Sequence, residues 1–175
     1  MPDPRRVVLG VSVAAGAAYL QPATLNYLVS PMLDTFHADE SASATLRETP
    51  SVACLLVIFL AAVVAQRFGQ RRVLVLGAVT LTVGSLLVAA APVLAVAIAG
   101  LAIQAGGATV LLVVPLGIIG AAVPGREQRA RAFAIFSMVS PVVFVMLPVL
   151  TSWLMEDRSW RVVAFTWALG GALAV

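Results

Sequence analysis

The side chains best suited to binding a small molecule in this sequence are uncharged. Tyr19, Asn26 and Ser30 recur at helical spacing with Ala23 between them, so a helix here presents them on one face, while Gln21 and Tyr27 point elsewhere. Gln104 and Thr109 add an amide and a hydroxyl further along. Such groups recognise a ligand by hydrogen bonding, and in apolar surroundings they also bond helix to helix, at about 0.6 kcal/mol each on average. No acid–base pair accompanies them. The one histidine, His37, reads as a loop residue, and the one cysteine, Cys54, as a small apolar side chain. Neither builds a metal site, and an internal disulfide is excluded, so no metal or other cofactor is expected. Gly-x-Ser-x-Gly, Gly-x-x-x-x-Gly-Lys and His-Glu-x-x-His are all missing from the sequence, and an enzyme is not expected.

The elements that must position these residues follow from composition. Hydrophobic residues make up 61% of the 175 and charged ones 11%, with mean hydropathy +1.03, against roughly 45–50% and about 25% in a soluble domain. A membrane protein is expected. The net charge of +3 comes from 11 basic residues, all arginine, scattered in pairs and triplets rather than massed on one face, so nucleic acid is not an expected partner. A helix needs about 20 apolar residues to cross the hydrocarbon. Charge-free runs cover Val7–Leu33, Thr49–Gln66, Val73–Gly125, Ala132–Met155 and Val162–Val175; the third is too long for one crossing and breaks at Ala91-Pro92-Val93. The expected fold is an all-α polytopic bundle with spans at about 7–33, 49–66, 73–91, 93–122, 131–155 and 161–175. The sixth is read as incomplete, and no soluble domain or internal repeat is evident. "MPDPRR" and the apolar stretch after it resemble a signal peptide, but the run continues past a usual h-region.

Arginine placement sets the orientation, because positive residues in short loops are retained in the cytoplasm. With the N-terminus inside, the inner segments hold Arg5, Arg6, Arg67, Arg71, Arg72, Arg126, Arg129 and Arg131, and the outer ones only Arg47, Arg158 and Arg161. A multi-pass protein of the cell membrane with a cytoplasmic N-terminus is expected. "DTFHADESASATLRETP" is then an outer connection whose serines suit the cap of the second span. Small residues at Gly10, Ala14 and Ala18, at Thr80 and Gly84, and at Ala102 and Gly106 suit close helix packing.

The inner turn between spans 2 and 3 carries a more specific signal. "AVVAQRFGQRRVLVL" resembles the loop motif of the major facilitator superfamily, G-x-L-x-D-R-x-G-R-R/K, with Arg67, Gly69, Arg71 and Leu74 in their expected places and Arg72 adding charge. Ala62, Val64, Gln66 and Gln70 depart from it. "PATLNYLVSP" is similar to the D-x-T-I-V-N-V-A-L-P stretch of span 1 in the fourteen-span drug–proton antiporter branch, with Pro22 in place of the aspartate. "LAIQAGGATVLLVVPLGIIGAAVPGREQRARAFAIF" resembles span 4 and its following loop, and "SWRVVAF" the start of span 6.

The resemblance implies the N-terminal half of a longer transporter, working by alternating access with a C-terminal half absent from this sequence. It implies that Gln66, Arg67, Gly69, Arg71 and Arg72 form a latch between halves, that spans 1 and 4 line a central cavity, and that Tyr19, Asn26 and Gln104 contact a small-molecule substrate there. Pro22, Pro115, Pro141 and Pro148 are expected to bend helices. Proton-coupled members carry an arginine where this chain has Leu101, and antiporters carry a Gly-Pro-x-x-Gly element where it has Ser140-Pro141-Val142-Val143-Phe144. No charge falls inside spans 1 to 5, so no intramembrane proton relay is evident. The alternative reading is a short membrane assembly protein or an inactive transporter fragment.

Overall fold

A computed structural model describes residues 4–155 and 159–174. Glu156, Asp157 and Arg158, which the sequence reading puts in an outer loop, lie outside the described residues. The chain forms α1 (Pro4–Phe36), α2 (Ser41–Phe68), α3 (Gln70–Ala90), α4 (Leu94–Ala122), α5 (Arg126–Met155) and α6 (Trp160–Leu173). The first five are long and apolar enough to cross a membrane, and no strand occurs among the described residues.

The breaks are local. Gly69 alone separates α2 from α3, at φ 90°, a backbone conformation costly for any residue with a Cβ, and its N–H returns to the Ala65 carbonyl at 3.1 Å. His37 ends α1 in the left-handed region at φ 50°. Helix α2 starts at Ser41, well before the charge-free run, and its cap position is Glu40 with no side-chain hydrogen bond. The expected serine cap is therefore not made. The Ser41 and Ser43 hydroxyls lie inside the helix, beyond the residue that a cap must occupy.

Tight packing comes from glycines that the expected small-residue stripes only partly contain. Gly77 on α3 faces Gly107 on α4, and Gly84 faces Gly100; each pair is equidistant in sequence from Pro92, which sets the antiparallel register. A Cβ at Gly107 would lie 2.4 Å from the Leu81 nitrogen, and one at Gly84 would lie 2.4 Å from the Gln104 nitrogen. Backbones meet here without intervening side chains. By contrast, Gly10 has nothing within 4 Å of its Cβ position, and Thr80 is exposed. Helix α6 seats on α3 and α1, with Gly171 against Leu81 and Thr82 of α3 and Gly170 against Leu20 of α1.

Four buried apolar clusters result among the described residues, and two of them form layers across the bundle. Ala14, Ala18, Ala78, Leu81, Ala108 and Leu111 form one, and Leu25, Leu28, Met32, Val88, Leu101 and Trp167 anchor the other. Exchanging α1 with α4, α2 with α5 and α3 with α6 maps the α1–α5 packing onto α2–α4. Helices three apart run in opposite directions, so this relation is inverted, and no residue-level repeat accompanies it.

Gly107→Ala is expected to destabilise the full-length protein by about 1–3 kcal/mol, whereas Gly120→Ala, with nothing within 4 Å of the new methyl, is expected to be neutral or slightly stabilising. Thermal unfolding in detergent checks the difference; equal melting temperatures would show that the α3–α4 contact is not close.

Candidate functional site

Helix α1 buries one stripe and opens the opposite one. Ala14, Ala18, Leu25, Leu28 and Met32 face the core, while Pro22, Asn26 and Ser30 are exposed and Tyr19 is half-buried. The open stripe runs between α2 and α5. From one side Arg47, in the second turn of α2, donates through Nη1 to the Asn26 Oδ1. From the other, Phe144 of α5 meets Tyr19 edge to face, with centroids 6.0 Å apart at 65°. Nearer the arginine-rich end, α1 and α5 part to leave a cavity of about 690 Å³ lined by Val8, Leu9, Ser12, Gln128, Arg131 and Ile135. Arg131 there pairs with Glu127 at 2.7 Å. The whole is a trough with α1 as its floor and α2 and α5 as its walls.

Tyr19 and Asn26 thus share the floor, but Gln104 does not join them. It is 1% exposed, and neither its Oε1 nor its Nε2 has a partner. The glycine crossing explains this, because Gly84 lets α3 come so close that position 104 faces the interior of the bundle. Gln21 on α1 and Ser85 on α3 are buried at the same level, between the two apolar layers. Gln21 also leaves its Nε2 unpartnered, while Ser85 donates to the Leu81 carbonyl. This buried polar layer was not visible in the spacing of the residues. Thr109 is buried as well, donating to the Ala105 carbonyl, and its Oγ1 lies 2.7 Å from the Cys54 Sγ. Cys54 is therefore an interhelical contact between α2 and α4 rather than apolar filler.

Gln66, Arg67, Gly69, Arg71 and Arg72 are all exposed at the α2–α3 turn, and the three arginines make no ion pair among the described residues. Pro22, Pro115 and Pro141 lie inside continuous helices, where each removes one backbone donor. At the opposite end a set of contacts appears that helical spacing alone does not predict. Arg161 donates to the Ala89 and Ala91 carbonyls at 2.7 and 2.8 Å, closing the end of α3, and stacks over Trp160 with Cζ 4.8 Å from the ring centroid. The Trp160 and Trp167 indoles donate to Thr35 and Thr24 of α1, both at 2.9 Å. Each threonine in turn donates to a carbonyl of its own helix.

A sequence model of the Major Facilitator Superfamily matches residues 11–175. The chain belongs to this superfamily. It is 26% identical over 157 residues to multidrug resistance protein Stp of Mycobacterium tuberculosis, covering 90% of this chain and 29% of that protein. It is 27% identical over 161 residues to the drug efflux pump JefA of the same species, covering 91% and 32%. Among solved structures, the inward-open xylose transporter XylE from E. coli superposes with TM-score 0.87 at 13% identity, over 98% of this chain and 46% of that one. A POT family transporter crystallised with 5-aminolevulinic acid gives 0.80 at 19% identity, over 96% and 36%. The chain spans about a third of the length of the curated relatives it matches.

As a major facilitator chain with five apolar helices of spanning length, this is a multi-pass membrane protein. The fold also gives its departures from the family pattern a physical setting. Leu101 is fully buried in the larger apolar layer, where an arginine would be surrounded by hydrocarbon side chains. Phe144, in the place of a glycine, meets the Tyr19 ring of α1 edge to face. Replacing Arg161 with lysine, which lacks the two-pronged donor, is expected to lower the stability of the full-length protein by about 1–3 kcal/mol, read as a drop in melting temperature. An unchanged value would show that the α3 carbonyls find other partners.

Proposed function

We propose that the whole protein is a secondary transporter that exports drug-like molecules or metabolites across the plasma membrane by alternating access. The observation that carries this reading is the exposed polar stripe on the floor of the trough, in a bundle that belongs to the Major Facilitator Superfamily. Relatives named for multidrug resistance and drug efflux support export. In this reading the N-terminus and the arginine-rich turns face the cytoplasm, in accord with the bias of positive residues. The protein works as a carrier and not as an enzyme, and neither cofactor nor metal takes part.

The walls indicate where the remainder of the protein packs. Only 6% of the most apolar stretch of α5 and 11% of that of α2 are buried, against 56% for α4. A second helical half covering part of these two walls, with the lipid bilayer on the rest, turns the trough into a closed central path. Tyr19 and Asn26 contact substrate on the floor, and Gln104 acts behind it by stiffening or hydrating the α3–α4 crossing. Arg67, Arg71 and Arg72 latch the two halves by pairing with acids of the second half. Gln66 cannot supply the carboxylate that the family motif has there, so the latch depends on the arginines alone. No acidic side chain lies in the middle of a described helix; in this reading either a proton-coupling group belongs to the second half or transport is facilitated diffusion.

Efflux from cells producing the full-length protein tests the reading. Asn26→Ala is expected to reduce transport several-fold, because a hydrogen bond to substrate contributes about 0.5–1.5 kcal/mol, while Gln104→Ala acts mainly on stability. Arg67→Ala is expected to impair turnover with membrane insertion intact. Wild-type transport by both Asn26→Ala and Arg67→Ala would remove the floor and the latch from the mechanism, and a wild-type protein that exported nothing from a broad drug panel would overturn the carrier reading.

A further inference from the structure

The Arg47–Asn26 pair does more than fasten α2 to α1. Arg47 is an exposed guanidinium, and its described partner is the neutral amide oxygen of Asn26, which leaves its charge uncompensated. Asp34, Asp39, Glu40 and Glu48 all lie towards this end of α1 and α2, yet none is within ion-pair distance of it; among the described residues the one ion pair is Arg131 with Glu127. A guanidinium carries five N–H donors in a planar fork. One is spent on Asn26, and that bond holds the fork against the exposed stripe of α1, on which Ser30 lies about one helical turn from Asn26. Arg47 lies two residues before the charge-free run of α2, at the end of the span, and its long side chain reaches inward to Asn26, where water or an anionic group must meet its charge. Seven residues below Asn26 on the same face, about 10 Å along the axis, the Tyr19–Phe144 pair offers an aromatic surface.

We infer that Arg47 is a specificity-determining residue that receives the carboxylate of an amphipathic organic anion, whose apolar body lies against Tyr19 and Phe144. Asn26, besides facing substrate from the floor, aims the guanidinium through its Oδ1. This assignment rests on the transport reading for its purpose but not for its chemistry: recognition of an anion is a property of the trough itself.

Equilibrium binding to the purified full-length protein tests it, with the carboxylate dye fluorescein and the cationic dye ethidium followed by fluorescence polarisation. Wild-type protein is expected to bind fluorescein with an affinity that falls as salt rises. Arg47→Gln is expected to weaken fluorescein binding about tenfold or more while leaving ethidium unchanged or tighter. Arg47→Lys is expected to restore part of the loss, since it keeps the charge without the fork. Asn26→Ala is expected to shift the fluorescein-to-ethidium preference in the same direction by a smaller factor, which a purely structural role would not do. If Arg47→Gln does not fold, the Arg47→Lys and Asn26→Ala preferences carry the test. Equal fluorescein affinity in wild type and variants, parallel loss of both dyes, or no wild-type fluorescein binding would each overturn the proposal. A wild type that binds fluorescein through Arg47 but moves no solute would overturn the carrier reading and leave anion recognition standing.

Discussion

Hydrocarbon offers no hydrogen bonds, and nearly every polar atom in these helices is placed to answer that constraint. Backbone donors and acceptors close within the helices. Hydroxyls do the same: Thr24, Thr35, Thr80, Thr82, Ser85, Thr109 and Ser152 each donate to a carbonyl four residues earlier. Where α3 ends and its last carbonyls lose helical partners, Arg161 reaches across from α6 to take two of them. The exceptions are informative for the same reason. The amides of Gln21 and Gln104 are buried and incompletely bonded at one level of the bundle, a level that hydrocarbon alone would disfavour.

Lipid also removes the usual drive for apolar faces to associate, so the helices hold together where they fit closely. The α3–α4 pair meets backbone to backbone at its glycines, and α6 docks against α3 and α1 through Gly170, Gly171 and two tryptophan–threonine bonds. Helices α2 and α5 bury few residues of their most apolar stretches, yet α5 packs on α1 through Ala132, Phe136 and the Phe144–Tyr19 pair, and α2 packs on α4 through Ala65 and the Cys54–Thr109 contact and reaches α1 through Arg47 and Asn26.

Much of this was legible in the residues. Length and absence of charge mark where helices cross, Pro92 marks the hairpin, and Gly69 marks a turn that needs a positive φ. The shared floor of Tyr19 and Asn26 follows from helical spacing within one element. Gln104 shows where such reasoning stops, since spacing within α4 cannot say which neighbour its face meets. The missing signal was present as two glycine pairs placed symmetrically about Pro92, which bring position 104 against α3. Arg47 and Arg161 illustrate a second limit. Both count as loop charges by sequence, yet each becomes a contact between helices because a long side chain reaches across a gap whose width only the fold defines.

The central claim is that the open face of α1 is wet while the other exposed faces are oily. In a Cys54→Ser background of the full-length protein, single cysteines at Asn26 and at Val83 on the outer face of α3 compare two exposed positions directly. A charged methanethiosulfonate reagent, which reacts with thiolate in water, is predicted to modify the cysteine at 26 rapidly and to leave the one at 83 unmodified in membranes. Rapid modification at 83 with none at 26, or equal rates at both, would contradict the account.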